Sequence, residues 1–136
     1  MRYLAIDYGT KTTGLAICDP SETIVSPLAV LSNDRDIVDK ILEIIKREGA
    51  EAIVMGLPFN MNDSIGPQAR IVQEFAGTLG KNLTITIYFQ DERLTTFAAE
   101  EKLVSRELTR GKKKKRLDAV AAGEILQAFL DSKKGT

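Results

Sequence analysis

The chain of 136 residues has no histidine, no tryptophan and a single cysteine. Without histidine it lacks the commonest general base, and with it Ser-His-Asp catalysis, Cys-His catalysis and any imidazole zinc site. The lone Cys18 excludes an internal disulfide and a thiolate zinc cluster. It lies in an apolar segment and reads as a buried structural thiol. Aromatic residues make up only 6%, too few for an extended base-stacking platform. No apolar run approaches the ~18 residues of a membrane span. Strand-like sequence begins at Tyr3, which leaves no room for a signal peptide. The expectation is a soluble, cytoplasmic protein with no membrane partner. Its chemistry must come from carboxylates, lysines, hydroxyls or a metal.

Net charge is absent as well, with 19 basic residues against 19 acidic ones. The neutral sum conceals a cluster: "RGKKKKR", Arg110 to Arg116, carries six positive charges in seven residues. At this length the chain can bury about two-thirds of its unfolded surface without staples. We therefore expect a single domain over residues 1–136.

Three strand-like segments come first, Tyr3 to Asp7, Thr13 to Cys18 and Ile24 to Leu31. A glycine-containing turn joins the first two and predicts an antiparallel hairpin. "SNDRDIVDKILEIIKREG" predicts a helix capped by Ser32 or Asn33, with Asp34 and Asp36 in its first turn and Gly49 as its stop. "AIVMGLP" from Ala52 is the continuous apolar run of a strand covered on both faces. Pro67 opens a second helix whose apolar stripe is Ile71, Val72, Phe75 and Leu79. "LTITIYF" from Leu83 reads as a strand, "TTFAAEEKLV" as a short helix, "SRELTRGKKKKR" as a basic loop and "LDAVAAGEILQAFLDS" as a final helix. The order predicts an α/β fold: a mixed sheet of about five strands, the first three antiparallel, with helices on its faces.

Carboxylates recur at the carboxyl ends of these strands, where open α/β sheets collect ligands. Asp7 closes an apolar strand on the face of Tyr3 and Ala5, where an unpartnered charge is costly; as a turn residue it would carry less meaning. Asp91 and Glu92 follow the "LTITIYF" strand, and because neighbours in a strand point to opposite faces only one of them enters any shared site. Otherwise both merely favour the N-terminus of the next helix. Asp118 opens the final helix beside Ala119, Ala121, Ala122 and Gly123, side chains small enough to let that helix approach the sheet. Three converging carboxylates cannot all ionise without cations. Oxygen-only ligands suit Mg²⁺ or Mn²⁺, one ion or two, and such ions serve phosphodiester cleavage.

"DYGTKTTGLA", "VMGLPFNMND", "DERLTT" and "KKKKRLDAVAAGEIL", in this order and spacing over nearly the whole chain, resemble the YqgF/RuvX family. The resemblance implies a ribonuclease-H-like fold related to the RuvC resolvases. It also implies a metal-dependent nuclease acting either on the 5′ end of the precursor of small-subunit ribosomal RNA or on Holliday junctions. Carried over by motif, the catalytic and metal-binding acids are Asp7, Glu92 and Asp118. Asp91 is the alternate, and Glu92 is preferred on the superfamily's habit. In the loop after "GLP" the family often has an Asn-x-Asp-Gly turn. Here it reads "NMNDS" without the glycine, which leaves substrate contacts by Asn60 or Asn62 unassigned.

Phosphate contacts are expected from Lys112, Lys113, Lys114, Lys115 and Arg116, and from Thr10, Lys11 and Arg93 beside the acids. The bland alternative for the run is a solvated loop. The partner is then structured RNA or branched DNA, and paired incision of a four-way junction would require a homodimer. Two rival functions fit the residues less well. "IDYGTKTTG" also looks like the first phosphate motif of actin-like phosphotransferases, but those clamp nucleotide between two domains and this chain has sequence for one. A catalytically silent nucleic-acid-binding module would be poorly served by carboxylates that repel phosphate.

Overall fold

The computed structural model describes residues 1–58, 66–92 and 110–134, the stretch 110–118 by its backbone alone. Strands β1 (Tyr3–Tyr8) and β2 (Thr12–Cys18) form the expected antiparallel hairpin, and β3 (Val25–Ser32) adds antiparallel to β2. Strand β4 (Ala52–Leu57) lies parallel to β1, and β5 (Thr86–Asp91) lies parallel to β4. The sheet order is β3-β2-β1-β4-β5. β4 is buried at every position, as a parallel strand covered on both faces must be.

Helices α1 (Ile37–Glu48) and α2 (Pro67–Gly80) cover one face, and α3 (Arg110–Lys134) covers the other. Alternation along the strands divides the core accordingly. Leu4, Ile6, Leu15, Ile53 and Met55 meet Ile41, Val72 and Leu79 beneath α1 and α2. Ala5, Ala16, Ala52 and Val54 meet Ala122, Ile125, Leu126 and Leu130 of α3. Alanine on both sides of this second interface lets α3 lie close to the sheet. Its far end is pinned: Lys133 Nζ donates to Tyr3 Oη at 2.7 Å and to Glu22 Oε1 at 2.8 Å. The carboxyl end of α3 therefore sits at the start of β1, and the helix runs back toward the carboxyl ends of β1, β4 and β5. None of the described helices is long and apolar enough to cross a membrane. Cys18 is buried, and burial pushes its thiol above the ordinary value.

Four expectations need correction. α1 starts at Ile37 with Asp36 at its N-cap position, so Asp34 and Asp36 precede it; Ser32 belongs to β3, and Asn33 bonds elsewhere. In α2 the buried stripe is Ala69, Val72, Phe75, Ala76 and Leu79, while Ile71 is 47% exposed, because adjacent helical residues diverge by about 100°. β5 begins at Thr86, three residues later than the apolar run. The run Lys112 to Arg116 is helical: α3 starts at Arg110, so Asp118 lies in the body of the helix and does not open it. The expected short helix over 95–104 and the loop residues Asn60 and Asn62 lie outside the described residues.

Gly49 ends α1 in the left-handed region, φ 68°, and its N–H reaches the carbonyl of Ile45. A Cβ there would meet nothing within 4 Å. Gly49→Ala is thus expected to cost about 1–2 kcal/mol, the conformational penalty alone, read as a shifted urea midpoint with an unchanged slope.

Candidate active site

The carboxyl ends of β1, β4 and β5 meet at one edge of the face covered by α3. Residues alternate along β1, so Asp7 shares that face with Tyr3 and Ala5. Its cross-strand partner on β2 is Gly14. On the other side, the β1–β4 register runs through Ile6 and Met55, and its next step sets Gly56 beside Asp7. Asp7 is thereby flanked on both neighbouring strands by residues without a side chain.

Glu92 directly follows β5. Gln90 pairs with Gly56, whereas Asp91 pairs with Leu57 and points to the other face; Glu92, past the strand end, lies against Gly56 on the face of Asp7. Glu92 is hydrogen-bonded to Asp7. Burial, foremost, and then the bond to Asp7 with its negative charge push the Glu92 carboxyl far above its ordinary value of 4.5, with a smaller push from Asp91. The coupled pair therefore retains a proton above the ordinary carboxylate range. Gly56 makes this packing sterically feasible: a Cβ on it would lie 3.0 Å from Glu92 Cγ, 3.1 Å from Glu92 Cδ and 2.5 Å from Ile125 Cδ1.

Sequence reasoning did not single out Gly56, though a signal was present. A lone glycine within a continuous apolar strand marks a close approach.

Asp118 lies two helical turns before Ile125, the α3 residue that packs over Gly56. Seven residues of helix span about 10 Å, so the backbone of Asp118 lies beyond Ile125 in the direction of the strand ends. Its side chain, and those of Lys112, Lys113, Lys114, Lys115 and Arg116, lie outside the described residues, as does Arg93. Thr10 and Lys11 are exposed in the turn that follows Asp7 and Tyr8. Their turn closes through Gly9 N–H to the Thr12 carbonyl at 2.9 Å.

Among the described residues no group of three or more acids, cysteines or histidines is arranged to hold a metal; the acid pair is what is described. The pair nonetheless fits a hard divalent cation. Its donors are all oxygen, and the proton it retains, through burial and through the proximity of the two acids, is one that a bound cation would displace. Nothing in the pair alone would bind phosphate without such a cation, since two carboxylates repel it.

Comparison with known proteins agrees with this geometry. Residues 1–132 match the family model described as "RuvX: Holliday junction resolvase". A Caldanaerobacter subterraneus subsp. tengcongensis protein named "Putative pre-16S rRNA nuclease" is 45% identical, with both chains covered in full. A Bacillus thuringiensis protein of the same name is 42% identical over 98% of this chain and 100% of its own. Among solved structures, Thermus thermophilus RuvC in complex with a Holliday junction substrate has a TM-score of 0.62 at 16% identity, covering 100% of this chain and 98% of its own. The fowlpox virus Holliday junction resolvase follows at 0.57 and 14%, covering 97% and 99%. The fold is thus the ribonuclease-H-like one of the RuvC resolvases.

Proposed function

The chain belongs to the RuvX family of Holliday junction resolvases, and on that premise we propose that it cleaves precursor 16S ribosomal RNA at its 5′ end as a metal-dependent endonuclease. It is a hydrolase of phosphodiester bonds, and nucleic acid is its partner. The single observation that carries the proposed chemistry is the hydrogen-bonded pair of Asp7, near the end of β1, and Glu92, just past the end of β5, on either side of β4. We read residues 1–136 as one nuclease domain working in the cytoplasm.

Asp7 and Glu92 would hold Mg²⁺ or Mn²⁺, one ion or two, with Asp118 as third ligand by motif. Such an ion, when bound, supplies an activated water and stabilises charge at the scissile phosphate. To serve as ligands both carboxyls must be ionised, so the pair would give up its shared proton and loading is favoured by rising pH. Lys11 and Thr10 would meet phosphate beside the acids, together with Arg93. Lys112 to Arg116 would hold the backbone farther out without reading sequence.

A second reading, resolution of branched DNA, is favoured by the family's own description. Paired incision of a junction would require two copies of the chain. The two readings separate when purified protein is offered precursor ribosomal RNA and a four-way DNA junction side by side, with Mn²⁺ and with EDTA. We expect the 5′-extended RNA to be cut with Mn²⁺ only and the junction to persist. A resolved junction beside intact RNA would reverse the assignment; two intact substrates would leave a binding module.

A further inference from the structure

Asn33, one of the two residues expected to cap α1, is not used as a cap. No side-chain hydrogen bond caps that helix, and Asn33 turns away from it toward the β1–β2 hairpin. Its Oδ1 accepts from Thr13 Oγ1 at 2.5 Å, its Nδ2 donates to the Gly9 carbonyl at 2.7 Å, and its backbone N–H donates to the Lys11 carbonyl at 2.9 Å. Thr13 is wholly buried, which makes it a firm anchor. The amide orientation is forced, since the Gly9 carbonyl can only accept. Two bonds from this residue, just past the end of β3, thus grip the turn some two dozen residues earlier in the chain that carries Thr10 and Lys11 after Asp7 and Tyr8, and the third anchors its amide on β2.

The turn is tight as well as braced. A Cβ on Gly9 would lie 2.7 Å from the Thr12 carbonyl oxygen, so its path leaves no room for a side chain. Thr10 and Lys11 at its tip are exposed, and ordering them on contact with a ligand would cost conformational entropy.

We infer that Asn33 is a positioning residue for substrate: it fixes the hairpin turn so that Lys11 is presented to a nucleic-acid phosphate next to the acid pair. This rests on the reading above that Lys11 meets phosphate. A residue that only held the fold together would lower stability without regard to Lys11. A positioning residue acts through Lys11, so its loss and the loss of Lys11 must overlap.

The test is a double-mutant cycle on binding of labelled duplex DNA, a probe of the phosphates common to both polymers, titrated in EDTA over a range of salt. Lys11→Ala is expected to reduce the slope of log K against log salt by about 0.9, one phosphate contact. Asn33→Ala should give a comparable reduction, and the double variant should fall no further than Lys11→Ala. Hydrogen exchange should find core amides such as those of Ile6 and Leu15 still protected while the amide at position 33 exchanges faster. Thr13→Ser, which keeps the hydroxyl, should bind like wild type, and Thr13→Val should resemble Asn33→Ala. These threonine variants decide the matter if Asn33→Ala is too unstable to titrate. A wild-type slope in Asn33→Ala, or losses that simply add, overturns the inference while the Lys11 reading stands. A wild-type slope in Lys11→Ala overturns both.

Discussion

Asp7→Asn leaves the protein folded and reduces phosphodiester cleavage by at least about 10³-fold, the upper end of what removal of one charge-stabilising group costs. Asparagine has the same shape and can still hydrogen-bond to Glu92, so the packing between Gly14 and Gly56 survives. What is lost is the anionic oxygen that would face a cation. The same variant has a signature at the neighbouring acid. Glu92 is held above 4.5 by burial and by Asp7 together, so in Asp7→Asn only burial and the weaker effect of Asp91 remain, and its pKa falls.

Stability of the metal-free protein carries the same information. Folded Glu92 binds its proton more tightly than the unfolded chain does, so its contribution is fully present below pH 4.5 and is lost as pH rises through neutrality toward its raised folded value. Thermal midpoints without metal should therefore fall over that range. Mn²⁺ should restore them in the wild type, as any ligand of the native state does, and the fall should be shallower in Asp7→Asn. Carboxyl NMR titration and melting curves with and without Mn²⁺ read both effects. Near-wild-type cleavage by Asp7→Asn would remove Asp7 from the mechanism, and an unmoved Glu92 titration would mean that the two acids do not touch in solution.

Gly56→Ala is the second large effect. The added methyl would press on Ile125 Cδ1 at 2.5 Å and on Glu92 at 3.0–3.1 Å. Ile125 is wholly buried and has little room to retreat, so overpacking should cost about 1–3 kcal/mol. The more telling loss is catalytic, because Glu92, with Cγ and Cδ 3.0 and 3.1 Å from the added methyl, must shift by a few tenths of an ångström against Asp7. We expect cleavage to fall well beyond what the loss of folded protein explains, measured at a temperature where circular dichroism reports full folding. Wild-type turnover in Gly56→Ala would mean that Glu92 has freedom the packing denies it.

Features set by neighbours in the chain are legible in the sequence itself. The alternation of β1 and β2, the unbroken apolar run of β4, the stop at Gly49 and the start at Pro67 all follow from local preference. Features set by distant contacts are not. Asn33 suits a helix cap or a cross-link equally well by residue type, and only the proximity of Gly9 and Thr13 selects the second. Ile71 and Val72 are both apolar, and helical geometry allows only one of them to face the sheet. The "KKKKR" run has the composition of a solvated loop, yet its backbone winds as the first turns of α3, a helix docked on the sheet through Ala122, Ile125, Leu126 and Leu130. In the site, alternation along the chain indicates that Asp91 and Glu92 part ways. Which one joins Asp7 depends on the β4–β5 register through Gly56 and Gln90.

The winding of that basic stretch has a thermodynamic corollary. The first turn of α3 contains no acidic residue, so like charges crowd the end of a helix where the backbone dipole is already positive. Such a segment is electrostatically frustrated when alone. Any polyanion that settles on it relieves the frustration and firms up the helix, and by reciprocity a firmer helix grips the polyanion better.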